Sequence, residues 1–207
     1  VSRTAEAPTE KISIKSGRVT APQSHRRSKV LEHTEAEVDL VNSQYAGEPI
    51  DATSFDTFIS SLPTDAKVDL LHFACHGDVK NNTTQILEMA DGTHLSENDL
   101  KHNQKLRAYI RKNRPLVFLN ACKVGKMEIT LTGAGGFPMK LIERGACAVI
   151  APLWSVQDSI AHEIARRFYA QIKENPDKPF SQIFQEIRRD AYDPDKSKDT
   201  SAAYCFY

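Results

Sequence analysis

Three apolar runs constrain this chain more than any other feature: "VDLLHFAC" (68–75), "PLVFLNAC" (115–122) and "ACAVIAPLW" (146–154). None of them alternates apolar and polar residues, as a strand with one wet face does. A continuously apolar strand needs cover on both faces, which is the situation of a parallel sheet between helical layers. Helical patterns lie between and around the runs. A helix is expected over 34–45, with Val38, Val41 and Tyr45 on one face, and a second over 52–62. In that second stretch Phe55, Phe58, Ile59 and Leu62 follow the i, i+3, i+4, i+7 spacing of a core-facing stripe. "FPMKLIERG" reads as a helix with Gly145 in the C-cap position. Residues 157–175 form a long amphipathic pattern through Ile160, Ala161, Ile164, Ala165, Phe168 and Ile172. Pro179 introduces another helix, with Ile183, Phe184 and Ile187 inside, and "AAYCFY" reads as a last strand. This alternation predicts an α/β sandwich around a mostly parallel sheet.

Shorter signals fill the gaps. "QILEMADGTHL" reads as a strand pair turning at Asp91-Gly92. "SEND", from Ser96, is a capping box with Asp in the third position after the cap, and starts a helix. Residues 78–84 read as a polar loop. "KVGKMEITLTGAGG" is rich in Gly and Thr and reads as a mobile loop that reorganises between inactive and active states. It is expected to be poorly ordered or displaced without activator or substrate. Residues 1–30 read as a polar extension or linker, with "KISIKS" as a weak edge strand, leaving 31–207 as the domain. The chain starts at Val1 rather than Met, and is expected to be a piece of a longer or processed protein.

Lys and Arg number 27 and so do Asp and Glu, so no chain-wide attraction to nucleic acid or to an anionic membrane is expected. The basic cluster His25-Arg26-Arg27-Ser28-Lys29 reads as solvated linker. No apolar run approaches the ~20 residues of a membrane span. The four cysteines, Cys75, Cys122, Cys147 and Cys205, lack disulfide-framework spacing, which suits free thiols in a reducing, cytoplasmic compartment.

Sites in open α/β sheets collect at the carboxyl ends of the strands. One apolar run gives way to His76-Gly77 and another ends at Cys122. If the two strands are parallel neighbours, His76 and Cys122 emerge at one sheet edge, as a thiol nucleophile and its base must. An imidazole beside a cysteine favours the reactive thiolate. The Gly77 backbone is open to approach, and its N–H together with that of Cys122 could form an oxyanion hole. On residue types alone, a plain buried cysteine explains Cys122 equally well.

"HFACHG" and "LNAC" resemble the two catalytic motifs of caspase-like cysteine peptidases, the clan of caspases, separases and gingipains. The downstream run "GAGGFPMKLIERGACAVIAPLWSVQDSIAHEIARRFYAQI" resembles the CHAT group, whose members are often attached to TPR repeats. Leu153-Trp154 and Val156-Gln157-Asp158 carry the most specific part of that likeness. The resemblance implies a caspase-like α/β/α sandwich, His76 as general base, Cys122 as nucleophile, and the Gly77 and Cys122 amides as the oxyanion hole. It further implies a protein substrate, control by a regulatory protein or a fused sensor or repeat module, and a part in bacterial antiviral defence or death pathways. Neither cofactor nor metal is implied. In such enzymes the position two before the nucleophile lines the substrate pocket. Here it is the neutral Asn120, which speaks against a strict Arg/Lys preference resting on that position. Asp158 could line the pocket instead, or cap the following helix, and Trp154 reads as pocket wall or as core.

Two rival readings use the same residues. His72, Cys75, His76 and Cys122 could be taken for a tetrahedral metal site. Strand parity turns Cys75 away from the two histidines, and places His72 ~13 Å back from His76 as a packed or hydrogen-bonded support. Alternatively, the domain is catalytically silent and serves as a protein-interaction module.

Overall fold

The computed structural model describes residues 12–23, 30–45, 47–81, 84–122, 124, 128–130, 133–191 and 203–207. Three strands coincide with the three apolar runs: β2 (Leu70–Ala74), β6 (Leu116–Asn120) and β9 (Ala148–Pro152), each buried along its whole length. Two edge strands complete their sheet, β1 (Gly17–Thr20) and β10 (Tyr204–Phe206), in the order β1-β2-β6-β9-β10. The first four strands of that order are parallel, and β10 runs antiparallel to β9. β1 lies inside the stretch expected as an extension, so the folded unit begins before Leu31. "KISIKS" itself is not a strand over its described residues; Ile12 and Ile14 pack their side chains against the core instead.

Helical layers cover both faces. Strand parity decides which residue meets which layer. Leu70, Leu116, Phe118, Ala148 and Ile150 face α1 (Thr34–Tyr45), α6 (Asp158–Glu174) and α7 (Phe180–Ala191). Leu71, Phe73, Val117, Leu119, Val149 and Ala151 face the other layer. That layer comprises α2 (Phe55–Ser60), α3 (Glu97–His102), α4 (Gln104–Asn113) and α5 (Phe137–Glu143). The result is an α/β/α sandwich. In α6 the buried residues Ala161, Ile164, Ala165, Phe168, Tyr169 and Ile172 form one continuous stripe.

Local chemistry sets the boundaries. Ser54 caps α2 by accepting from the Thr57 N–H, which makes the helix shorter than the expected 52–62. Ser96 and Asp99 form a reciprocal capping box on α3. α5 ends where Gly145 adopts φ +108°, a conformation other residues rarely reach.

Two stretches expected as loops contain strands. β3 (Gly77–Lys80) pairs antiparallel with β4 (Thr84–Glu88), which in turn pairs with β5 (His94–Ser96). β7 (Glu128–Thr130) and β8 (Gly133–Gly135) form a two-stranded ladder within the Gly/Thr-rich segment expected as a mobile loop. The rest of that expectation falls on residues 123, 125–127, 131 and 132, which lie outside the described residues, as does the basic cluster from His25 to Lys29. Among the described residues no helix is long and apolar enough to cross a membrane.

Candidate active site

β2 and β6 are parallel neighbours, and their register pairs Ala74 with Asn120. The ladder extends one step further, where the Cys75 N–H donates to the Asn120 carbonyl at 3.3 Å. His76 and Cys122 therefore leave adjacent strands at the same level, the strands themselves being about 4.8 Å apart. Both line one small, partly open cavity of about 30 Å³. Leu31, Glu37, Asn120, Val156, Asp158 and Tyr204 also line it. The Cys122 thiol faces the Val156 carbonyl at 3.9 Å.

Gly77 has a firm geometric role. A Cβ built there would stand 2.3 Å from the Cys122 carbonyl oxygen and 3.1 Å from its nitrogen. The backbones of the His76-Gly77 corner and the Cys122 turn are thus in direct contact, and no side chain fits between them.

Under the cavity lies a buried polar string. Glu37, on α1, is 1% exposed, and His72, on β2, is fully buried. His72 Nε2 lies 2.7 Å from Glu37 Oε2, and its Nδ1 lies 2.7 Å from the Tyr169 hydroxyl. Asn120 donates from Nδ2 to both Glu37 oxygens at 2.7 and 2.8 Å, and its Oδ1 accepts from the Tyr204 hydroxyl. One proton arrangement satisfies every member: Tyr169 donates to Nδ1, Nε2–H donates to Glu37, and Tyr204 fixes the amide orientation of Asn120. His72 is thereby a supporting residue with both ring nitrogens occupied, which leaves none for a metal. Among the described residues no group of three or more His, Cys, Asp or Glu side chains is arranged to hold a metal ion.

The remaining expected site residues divide. Asp158 is the first residue of α6, not its cap; Gln157 holds the cap position without a side-chain bond. The Asp158 carboxylate accepts instead from the His33 N–H at 3.0 Å, which ties α6 to the start of α1. Trp154 is 44% exposed, which corrects its reading as core. Cys75 packs with Leu71 and Phe73 on the opposite face from His72, and burial pushes its thiol pKa well up. Burial also raises the Cys147 thiol, to about 11.

Glu37, Tyr169 and Tyr204 were not anticipated as part of the site. A signal for Glu37 was present: it precedes Val41 and Tyr45 by four and eight residues, which places a carboxylate on the buried stripe of α1.

A mostly parallel sheet between helical layers, with His and Cys leaving adjacent strands into one cavity, defines the caspase-like α/β class. Solved structures share this fold. The initiator caspase Dronc of Drosophila superposes with a TM-score of 0.63 at 9% identity, over 99% of this chain and 84% of that one. Caspase-1 of Spodoptera frugiperda gives 0.56 at 15% identity, over 100% and 91%. The Arg-specific cysteine proteinase gingipain R of Porphyromonas gingivalis gives 0.57 at 13%, over 96% of this chain and 46% of that one. The chain belongs to the CHAT domain family, whose sequence profile matches residues 5–205. No curated protein matches it by sequence.

Proposed function

We propose that this domain is a cysteine endopeptidase with Cys122 as nucleophile and His76 as general base. The observation that carries the reading is the shared cavity: adjacent parallel strands deliver a thiol and an imidazole to one small, partly open space. In the proposed reaction His76 takes the Cys122 proton while the sulfur attacks the scissile carbonyl carbon. The Gly77 and Cys122 amides receive the oxyanion. The C–N bond breaks, His76 returns the proton to the leaving amine, and a thioester remains. Water, deprotonated by His76, attacks the thioester and releases the acid and the thiol.

Membership of the CHAT family supports extending the proposal: a protein substrate, control by an attached or partner module, and a role in bacterial defence or death pathways. Free thiols support a cytoplasmic setting. The competing reading is a silent interaction module. A peptide-library cleavage profile separates the two. Cleavage should fall by at least about a thousandfold in Cys122→Ala, and an electrophilic peptide probe should label Cys122, more slowly in His76→Ala. Undiminished cleavage in Cys122→Ala, or labelling at Cys75 instead, would sink the peptidase reading.

A further inference from the structure

We propose that a second cavity, at the amino ends of the parallel strands, binds a short aliphatic carboxylate. Its carbon chain would lie against Ile12, Ile14, Ile172 and Phe180, and its charge toward Lys15 and Lys173. The proposal does not depend on the peptidase reading, because the two cavities lie at opposite ends of the sheet. Residues 12–15 lead into β1 at Gly17, its first residue. α6 starts at Asp158, which shares a cavity with Cys122. Ile172 and Lys173 lie on the last turn of α6, about 21 Å further along its axis.

This cavity measures about 250 Å³, against about 30 Å³ at Cys122. Pockets for drug-sized ligands begin at about 300 Å³. The space therefore fits a chain of several carbon atoms rather than a segment of another protein. Its walls are apolar for a structural reason. Ile172 and Phe180 are buried members of the core around Phe168, and Ile12 and Ile14 pack against that core from the segment before β1. Residues 12–14 make no backbone hydrogen bond to a described residue. The segment is anchored just beyond them, where the Lys15 and Ser16 N–H groups donate to Asp69 Oδ2 at 3.0 and 3.3 Å. Side-chain packing alone holds its two isoleucines against the cavity. An acyl chain laid there would take apolar surface of both walls out of water.

The charge of the lining has one sign. Among the described residues it includes Lys15 and Lys173 and no Asp or Glu. Nearby cations have partners: Lys178 pairs with Glu186, and Lys67 with Asp69. Neither the Lys15 nor the Lys173 ammonium pairs with a described residue. Asp69, the carboxylate that touches the segment, is engaged by the two amides and by Lys67. Lys173 complements the carboxyl end of α6, but Lys15 stands on an irregular segment and serves no helix end. Tyr45, also in the lining, offers a further donor. Its hydroxyl accepts from Gln44 Nε2 at 3.2 Å and donates to no described residue. A carboxylate at the rim would meet two unpaired ammonium groups. An alcohol of the same length would gain the apolar contact alone, and an alkylammonium would be repelled.

The test uses the whole chain with its isoleucine methyl groups labelled for NMR. Octanoate, octan-1-ol and octylammonium are titrated separately. Octanoate should shift the methyls of Ile14 and Ile172 in a saturable way and leave those of Ile110 and Ile142, on the other helical layer, in place. Its dissociation constant should be about fivefold or more below that of octanol, and octylammonium should bind weakest. The double variant Lys15→Gln/Lys173→Gln changes exposed side chains only. It should weaken octanoate about fivefold and leave octanol unchanged. Unmoved Ile14 and Ile172 methyls, or shifts centred on Ile110 and Ile142, overturn the site. Octanol or octylammonium binding as tightly as octanoate, or a double variant that binds octanoate undiminished, overturns the choice of a carboxylate and the proposal with it. None of these results bears on Cys122.

Discussion

The two faces of the central sheet are built on different principles. On one, Leu71, Phe73, Val117 and Leu119 meet α2, α4 and α5 chiefly through apolar contacts, with separate buried hydrogen bonds to Asn113 and Gln85 at the edges. On the other, apolar packing around Phe118 and Phe168 encloses the string Tyr169, His72, Glu37, Asn120 and Tyr204. Apolar packing is tolerant: a lost methylene leaves a small void and a proportionate penalty. A buried polar string is unforgiving, because each member is satisfied only by its neighbour. The polar face is also the one that lies under Cys122. The difference separates residues that hold the sheet together from residues that shape its cavity.

The largest effects should come from cutting each face once. Phe73→Ala should destabilise the domain by about 3–5 kcal/mol while the peptidase activity of the remaining folded molecules is kept. Glu37→Gln should cost less, about 1–3 kcal/mol for donors left facing each other, yet lose most activity per folded molecule. Urea unfolding and activity measured on the same samples decide the matter. Equal activity losses at equal stability loss would erase the distinction between the faces.

A middle-sized effect concerns the thiols. Burial raises the Cys75 and Cys147 thiols, so near pH 8 both stay protonated in the fold. Iodoacetamide followed by peptide mapping should find Cys122 modified first, Cys147 slowly, and Cys75 only after unfolding. Above the unfolded value of about 8.5 the unfolded chain ionises while the folded thiols do not. Folding stability should therefore decline as pH rises from about 8.5 through 11. Rapid labelling of Cys75 in the native protein would show that the apolar face is not sealed.

The smallest effect lies outside both faces. Arg166 and Arg167 hold the Glu163 carboxyl down at about 2. The cluster is largely exposed, and solvent screening limits it to a few tenths of a kcal/mol. Its contribution is present above the unfolded carboxyl value of about 4.3 and disappears as pH falls through about 2. Glu163→Gln should thus lower the melting temperature slightly at pH 7 and not at pH 2.

What the sequence reveals follows the same division. The apolar runs of β2, β6 and β9, the stripe of α6 and the Ser96 capping box are local patterns, and each forms where the sequence places it. β3 was missed because "GDVK" is polar and becomes a strand only through its partner β4. β1 is four residues long and owes its identity to the edge of β2. Among the site residues, His76 and Cys122 could be paired in advance because strand ends are local signals. Glu37 and Tyr204 could not, since their role arises from contacts across the whole chain. Trp154 shows the converse: a large aromatic after a buried strand reads as core, yet the chain turns it outward at 44% exposure.

Asn120 is gripped from both sides by partners distant in sequence, Glu37 83 positions before it and Tyr204 84 positions after it. Local elements can form early, but contacts this distant must first overcome the entropy of closing long loops. The cavity floor is therefore among the last parts of the molecule to be completed. A chain emerging from the ribosome carries its thiol and imidazole well before it carries residue 204. Until then the thiol and the imidazole stand without the buried polar floor beneath them.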